Sequence, residues 1–312
     1  MPIIMYLAGD IGGTKTHLAL YEDGGQMIRE QKFKSQSYPN LVNIIEEFKP
    51  TGVTKACFGI AGPIKNNQCI ATNLPWIVDA KNIPFKLVKL INDLEANAYG
   101  ICELKEDEFF VLNEGDVVEG NKALISAGTG LGEAGIYYDG KHYHPFPCEG
   151  GHCDFAPRNE LEITFLQYLF KKFGHASYER LLSGPGLLNI YDFLVEVKGM
   201  KQDVERDPKA ISEKALSGDS ATCTEALRFF IDLYGAEAGN TVLKFLALGG
   251  VFIGGGIAPK ILPLLKKGGF MKAFCEKGRF EKMMKGIPVK VILNDNTALL
   301  GAMHYAKNYL GV

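Results

Sequence analysis

The sequence has no segment of the kind that crosses a membrane or directs secretion. Its longest uncharged apolar run, residues 245–259, is rich in glycine and too short to span a bilayer easily. The apolar residues 1–10 form a short segment, and no cationic stretch precedes it, as a signal peptide would require. We therefore expect a cytoplasmic protein without a membrane partner, in which residues 245–259 form a buried strand and a turn.

An excess of charge of one sign is also missing, and so is an even, regularly spaced set of cysteines. The formal net charge of −2 provides no general attraction for nucleic acid or anionic lipid, so we expect no nucleic-acid partner. The cysteines are odd in number and scattered, which favours free thiols in a reducing compartment over a disulfide framework. They are Cys57, Cys69, Cys102, Cys148, Cys153, Cys223 and Cys275.

No low-complexity segment and no linker rich in serine or proline interrupts the 312 residues, a length that suits two lobes better than one core. Strand patterns at residues 3–8, 16–21 and 27–34 precede a helical pattern at residues 41–48, where apolar residues recur at i, i+3, i+4 and i+7. A strand, a glycine turn and a second strand recur at residues 123–138. This recurrence indicates internal duplication, which shapes the whole fold prediction.

Further patterns complete the predicted element order. Strands are predicted at residues 56–60, 87–91, 123–127 and 134–138, with helices at 95–101, 161–173, 187–197, 224–245 and 297–309. We expect the last of these helices to fold back onto the first lobe.

The first chemical motif is a glycine turn at residues 10–16 (Asp-Ile-Gly-Gly-Thr-Lys-Thr), which joins two predicted strands. Without Cβ atoms, its backbone N–H groups can approach an anion closely, and Asp10 at a strand end could hold Mg²⁺ through water. An ordinary β-hairpin with a glycine turn explains the same pattern equally well. The candidate nucleotide-binding residues are Asp10, Gly12, Gly13, Thr14, Lys15 and Thr16.

A second glycine turn at residues 126–132 (Ser-Ala-Gly-Thr-Gly-Leu-Gly) repeats this chemistry. It is not a Walker loop, because no Lys-Ser/Thr pair closes it, and it is not a dinucleotide fingerprint, because a strand rather than a helix follows. Two such turns could grip one polyphosphate from both sides, with Gly128, Thr129 and Gly130 as candidates in the second.

A third glycine cluster, Gly254, Gly255 and Gly256, follows the apolar residues 251–253. Backbone without side chains would let an adenine ring lie against this turn, although close strand–helix packing is nearly as good an explanation. We expect a helix to begin at Pro259.

Three further motifs are present: Asn92-Asp93, residues 149–152 (Glu-Gly-Gly-His) and residues 182–187 (Leu-Ser-Gly-Pro-Gly-Leu). Together with the glycine motifs, and in their order along the sequence, they resemble the bacterial glucokinase family over essentially the whole chain. The resemblance implies the two-lobed α/β fold of actin-like ATPases (ribonuclease H-like) with duplicated β-β-β-α-β-α modules. It places a small domain at residues 1–104 and 297–312, a large domain at 105–296, and the sugar and ATP in the cleft between them.

The resemblance also implies roles for individual residues. Asp93 would be the catalytic base for the 6-hydroxyl of glucose, with Asn92 on a neighbouring hydroxyl; without the other motifs, Asp93 would be interpreted as the N-cap of a helix starting at Leu94. ATP and Mg²⁺ would be the cofactors, and a homodimer is the implied assembly. The sugar would be held by Glu149, His152 and Glu179, with Asn73 as a weaker candidate.

Each sugar-binding candidate has an ordinary alternative. Glu179 could form a surface ion pair with Arg180, and Asn73 could be a turn asparagine. Residues 142–153 contain three histidines and two cysteines but lack the zinc-binding cysteine cluster of related sugar kinases and repressors, which argues against a zinc site. The family often has arginine where His17 stands, so the first glycine turn is less cationic here.

Other classes that share the fold fit the sequence less well. A chaperone or filament ATPase needs no sugar-binding residues, and a repressor would carry an N-terminal helix-turn-helix in place of the first strand. Kinases of other hexoses or amino sugars remain an alternative, because these sugars differ from glucose by one hydroxyl or substituent.

Overall fold

The computed structural model describes residues 4–72 and 74–311. The chain divides into two compact units, one comprising Met1–Glu106 and Asn294–Val312 and the other Asp107–Leu293.

The first unit is built on a five-stranded sheet. Its elements in chain order are β1 (Met5–Ile11), β2 (Lys15–Glu22), β3 (Met27–Lys34), α1 (Leu41–Phe48), β4 (Val53–Ile60), β5 (Ile64–Lys65), β6 (Gln68–Ile70), β7 (Ile77–Asp79), β8 (Leu87–Asn92) and α2 (Asp93–Gly100). The sheet has the order β3-β2-β1-β4-β8, and β5, β6 and β7 form a separate small sheet. β1 pairs antiparallel with β2 and parallel with β4, which pairs parallel with β8.

Local sequence explains why α1 forms where it does. Asn40 caps its N-terminus by accepting a hydrogen bond from the backbone N–H of Asn43 at 3.1 Å. Its apolar side chains recur at helical spacing and are buried against the sheet, and the helix ends at Lys49, whose φ of 45° is left-handed.

The second unit contains a sheet of the same kind. Its elements are β9 (Phe109–Asn113), β10 (Lys122–Ala127), β11 (Leu131–Tyr138), β12 (Tyr143–Cys148), α3 (Glu160–Phe173), α4 (Gly184–Glu196), α5 (Pro208–Ser217), α6 (Ala221–Phe245), β13 (Val251–Gly254), α7 (Leu262–Leu265), α8 (Gly269–Cys275), α9 (Glu281–Lys285) and β14 (Val289–Ile292). The sheet order is β12-β11-β10-β13-β14-β9. Five strands thus repeat the connectivity of the first sheet, and β9 adds an antiparallel edge strand.

The final helix, α10 (Thr297–Asn308), belongs to the first unit although it follows the whole second unit in sequence. It packs against α2 at very short range, because Gly100 and Gly301 have no side chain: a Cβ at Gly100 would collide with the carbonyl of Thr297, and one at Gly301 with the carbonyl of Ala96. Helix α6 is largely buried in the core of the second unit, as expected of a helix apolar on most faces.

The predicted α/β fold with duplicated modules is confirmed, and most predicted strands and helices are present with ends shifted by no more than three residues. The helix predicted to begin at Pro259 is wrong: residues 255–261 form turns, and α7 begins at Leu262. The short strands β5–β7, β9, β12 and β14 were not predicted from the sequence. Within the residues described, no helix combines the length and apolarity needed to cross a membrane.

Candidate active site

Three neighbouring parallel strands of the first unit end at one edge of the sheet. The register pairs Asp10 of β1 with Gly59 of β4, and Ile60 of β4 with Asn92 of β8. Because ligands in α/β folds gather at the carboxyl ends of parallel strands, this edge is where catalytic groups are expected. The polar side chains of Asp10, Asn92 and the following Asp93 all occur there.

A glycine on the central strand allows the helix after β8 to approach closely. A Cβ at Gly59 would lie 2.8 Å from the Cβ of Ala96 and 3.7 Å from the Cα of Asp93. A side chain at this position would therefore push the first turn of α2 away from the sheet.

The two carboxylates at this edge influence each other. Burial and, to a lesser extent, the charge of Asp93 raise the pKa of Asp10 to about 6, while Lys15 acts in the opposite direction. Such mutual repulsion is typical of carboxylates that share a site, and a bound cation would relieve it.

Asn92, not Asp93, is the N-cap of α2. Its Oδ1 accepts from the backbone N–H of Leu94 at 2.8 Å and of Glu95 at 3.4 Å, and its Nδ2 donates to the carbonyl of Gly62 at 3.3 Å. The alternative in which Asp93 caps a helix starting at Leu94 is therefore wrong, because α2 begins at Asp93 itself. The capping bonds fix the backbone just before Asp93. Asn73 lies outside the described residues.

The first glycine turn is held by a serine that the sequence analysis missed. Ser35 donates from its hydroxyl to the carbonyl of Gly12 at 2.8 Å and from its backbone N–H to the carbonyl of Thr14 at 3.0 Å. The fully buried hydroxyl of Thr16 lies 3.0 Å from that of Ser35. Thr14 and Lys15 are exposed, whereas Gly12 and Gly13 are half-buried in the turn. No local signal marks Ser35, since it is 23 residues from Gly12 in sequence.

The second glycine turn is stabilised by a predicted sugar-binding residue. Glu179 accepts a hydrogen bond from the backbone N–H of Leu131 at 3.1 Å, and a Cβ at Gly130 would lie 2.5 Å from the same carboxylate oxygen. The backbone N–H of Gly128 donates a hydrogen bond to the carbonyl of Gly130, and the carbonyl of Gly128 accepts one from the backbone N–H of Gly184. The structure thus places Glu179 against the turn that the sequence analysis had assigned to the nucleotide.

The third glycine cluster lies beside the second turn. Gly254 pairs with Ser126 in the sheet, and the backbone N–H of Ile257 donates to the carbonyl of Ala127 at 3.3 Å. Gly255 has a φ of 80°, and a Cβ there would collide with the Ala127 backbone, so this position requires glycine. Two of the three predicted nucleotide-binding motifs are therefore adjacent within the second unit.

Glu149 and His152 lie at the two ends of a single 3-10 turn, Gly150–His152 with its N-cap Glu149. Their side chains are 69% and 58% exposed, and His152 Nε2 is 3.9 Å from Glu149 Oε2. The chain after this turn pairs with the chain before Glu179, through a bridge between Asp154 and Ser177 and a hydrogen bond from Tyr178 N–H to the Cys153 carbonyl. The three predicted sugar-binding residues of this unit thus lie on two connected segments.

Residues 142–153 do not come together as a metal centre in the part of the chain that the structure describes. His144 instead lies 2.7 Å from Asp139, and the thiol of Cys148 contacts the carbonyl of Glu133. His17 is buried, with its Nε2 2.8 Å from Glu30, and burial lowers its pKa.

The duplicated sheet order, the paired carboxylates at the strand ends of one unit and the glycine turns in both units are the features expected of an ATP-dependent sugar kinase. A family model described as Glucokinase matches residues 7–309. The chain is 40% identical to the glucokinase of Trichormus variabilis, over 96% of this chain and 97% of that relative. It is 38% identical to the glucokinase of Cronobacter sakazakii, over 98% of both. The chain belongs to the glucokinase family.

Solved structures agree with this assignment. The crystal structure of glucokinase from an Antarctic psychrotroph is similar with a TM-score of 0.85 and 31% identity, over 97% of this chain and 99% of that one. The glucokinase of Balamuthia mandrillaris in complex with glucose has a TM-score of 0.85 at 20% identity, over 98% and 94% of the two chains, and this likeness shows the fold alone.

Proposed function

We propose that this protein transfers the γ-phosphoryl group of ATP to the 6-hydroxyl of glucose, with Asp93 as catalytic base. The observation that carries the proposal is the position of Asp93 in the first turn of α2, at the strand-end edge that also holds Asp10. The identity with curated glucokinases over nearly the whole chain supports the substrate pair.

Asp93 would orient the attacking hydroxyl and accept its proton as the bond to phosphorus forms. A carboxylate can accept a hydrogen bond from a hydroxyl and then hold its proton, which an amide cannot do. The capping bonds occupy the Oδ1 of Asn92, and its Nδ2 donates to the carbonyl of Gly62. This Nδ2 would therefore be the group that also binds a neighbouring sugar hydroxyl. Asn92 would thus position Asp93 as well as bind the sugar.

Glu149, His152 and Glu179 would bind the remaining sugar hydroxyls, with Asn73 as a further candidate. A sugar hydroxyl both donates and accepts, so carboxylates and an imidazole suit it, and a sugar that leaves one of these groups unpaired binds more weakly. The exposure of Glu149 and His152 supports this role, because their polar atoms remain accessible to a ligand. The contact of Glu179 with the second glycine turn would couple sugar binding to the phosphate site.

The glycine turns would hold the nucleotide through backbone N–H groups. In the first turn, the candidates are Gly12, Gly13, Thr14 and Lys15, while Thr16 would act through its buried contact with Ser35. In the second unit they are Gly128, Thr129 and Gly130, with Gly254, Gly255 and Gly256 beside the adenine ring. Lys15 and Thr14 are exposed, so their side chains can reach a phosphate oxygen.

Magnesium fits the carboxylates of the first unit. Burial, and then the charge of Asp93, raises the pKa of Asp10, and a divalent cation would offset this charge repulsion. Oxygen ligands are those that Mg²⁺ prefers. Asp10 would hold the ion through water. When bound, Mg²⁺ would neutralise charge that develops on the phosphate oxygens.

The experiment that tests this function is phosphoryl transfer measured with a panel of sugars. ATP turnover in the presence of glucose should exceed turnover without sugar by orders of magnitude, and glucose 6-phosphate should be the product. Equal turnover without sugar would indicate an ATPase of another class, and a higher kcat/KM for mannose, fructose or an amino sugar than for glucose would reassign the substrate.

We further propose that the protein acts in the cytoplasm, at the entry of glucose into glycolysis, as a homodimer. The free state of all seven cysteines supports a reducing compartment. The mass from light scattering tests the assembly, since a dimer of the 34.2 kDa chain should measure about twice that mass.

A further inference from the structure

The side chain of Glu133 on β11 packs against the turn that carries Glu149 and His152. Its side chain is fully buried, and a Cβ at Gly150 would collide with its carboxylate, so Gly150 lies directly against it. Glu133 also pairs across the sheet with Cys148, the residue that immediately precedes Glu149 in sequence. A change in the charge of Glu133 therefore acts on the backbone of the turn.

The carboxylate of Glu133 faces a second buried carboxylate. Among the described residues, neither of its oxygens has a hydrogen-bond donor, and the group that faces it is the carboxylate of Glu237 on α6, also fully buried. Two carboxylates make a hydrogen bond only when one of them holds a proton. Burial, and then the charge of Glu237, raises the pKa of Glu133 to about 7.

The surroundings favour the proton on Glu133 rather than on Glu237. Lys244 donates to Glu237 Oε1 at 2.7 Å, and Asn240 donates to Glu237 Oε2 at 2.7 Å. Glu237 thus already accepts hydrogen bonds from an ammonium and an amide group, which suits it to be the acceptor of the pair. The other titratable or charged groups around the pair are Cys148 and Cys153 near β12, Tyr178, Tyr234 on α6, and Lys277.

The same cluster reaches the second segment of the proposed sugar site. The hydroxyl of Tyr178, the residue before Glu179, accepts from Asn240 at 3.0 Å and from the backbone N–H of Ala156 at 3.4 Å. Asn240 thereby connects Glu237 with Tyr178. The buried polar groups contact both segments on which Glu149, His152 and Glu179 lie.

We propose that Glu133 is a positioning residue for glucose binding: its protonated carboxyl donates to Glu237 and holds the Glu149–His152 turn, and its ionisation loosens that turn and weakens sugar affinity. This inference rests on the proposed sugar-binding role of Glu149 and His152. Ionisation leaves two adjacent buried carboxylates that repel each other beneath Gly150, so the turn must move to admit water or a cation.

The test measures KM for glucose, kcat, and the glucose Kd by calorimetry without ATP, from pH 6 to pH 8.5. In the wild type, KM and Kd should rise several-fold with pH through about 7. Glu133→Gln cannot ionise but can still donate to Glu237, so its KM should stay near the low-pH value throughout. Glu237→Gln supplies a donor to Glu133 in either protonation state and should flatten the profile as well.

The matched control is Asp192→Asn, which alters a buried carboxylate of the same unit whose charge Arg206 and Lys172 already balance. It should follow the wild-type pH profile. A pH-independent KM in the wild type would overturn the proposal. A Glu133→Gln profile identical to the wild type would also overturn it, because another group would then cause the dependence. If Glu149→Gln leaves the glucose Kd unchanged, the sugar-site assignment fails instead.

Discussion

Asp10 and Asp93 lie at the ends of the two strands that flank β4, and each carboxylate experiences the charge of the other. The pair exists because three parallel strands end together and because Gly59 lets α2 start close to the sheet. The charge of Asp93 contributes, after burial, to the raised pKa of Asp10, and on the proposed function a bound cation would offset this repulsion.

Replacement of Asp93 tests the base directly. Asp93→Asn keeps the size of the side chain but cannot accept the proton, so kcat should fall by about 10²- to 10⁴-fold while KM for glucose changes little. Glu95→Gln, two residues later in α2, is the matched control and should keep kcat within a few-fold. Near-normal kcat in Asp93→Asn would remove Asp93 from the mechanism.

The raised pKa of Asp10 predicts how the stability of the protein depends on pH. Because the pKa of about 6 lies above the ordinary 3.8, the folded state binds the extra proton, and stability is lost as pH rises from about 4 to about 6. Without Mg²⁺ at pH 7.5, Asp10→Asn should therefore unfold at a higher temperature than the wild type, by an amount equivalent to about 1–3 kcal/mol.

The difference should almost vanish near pH 3, below the ordinary pKa of 3.8, where Asp10 is largely protonated in both states. Calorimetric Tm values at the two pH values provide the measurement, with the exposed Asp107→Asn as control. A lower Tm for Asp10→Asn at pH 7.5 would show that the carboxylate has a stabilising partner in the folded protein.

Gly59→Ala tests how the helix approach positions the site. The new methyl group would meet Ala96 at about 2.8 Å, so it should displace α2, destabilise the protein by about 1–3 kcal/mol and lower kcat. Ala96→Gly in the same chain removes the clash and should restore most of the loss. Gly24→Ala, where the nearest atom is 3.9 Å away, should be almost neutral. Additive effects of the two substitutions, measured as a double-mutant cycle, would contradict this explanation.

Glu179→Ala should affect both substrates, unlike Glu149→Gln. Removing the carboxylate leaves the Leu131 N–H without its acceptor and loosens the second glycine turn, so KM for ATP and KM for glucose should both rise. Glu149→Gln should raise KM for glucose alone, since Glu149 lies on a different turn. Steady-state kinetics in which the concentration of each substrate is varied in turn will separate the two effects. An unchanged KM for ATP in Glu179→Ala would limit the role of Glu179 to sugar binding.

Much of this site could be predicted from the sequence because its signals are local. A glycine turn between two strands at residues 10–16, or Asn92-Asp93 after a buried strand, is determined by a few consecutive residues, and the structure places each in its expected element. The order of these motifs along the chain is by itself enough to indicate the family. The helix expected at Pro259 failed because a proline that can open a helix fits a turn equally well.

Other features could not be predicted because they depend on residues far apart in sequence. Ser35 stabilises the first turn, Glu179 stabilises the second, and Glu133 meets Glu237 across 104 positions of the chain. Nothing near Glu133 in sequence distinguishes a buried carboxyl from an exposed one on a strand. Its burial and raised pKa follow only from the packing of α6 against the sheet.

The sequence by itself determined the recurring strand, glycine turn and strand, and the carboxylate at the end of β8, since hydrophobic spacing and turn residues act over short distances. The tertiary structure alone decided which of these groups meet: Asp10 with Asp93, Glu179 with the second turn, and Glu133 with Glu237 beneath Gly150. The physical reason is that burial and electrostatic interaction depend on distance in space, which the packing of helices on the two sheets sets.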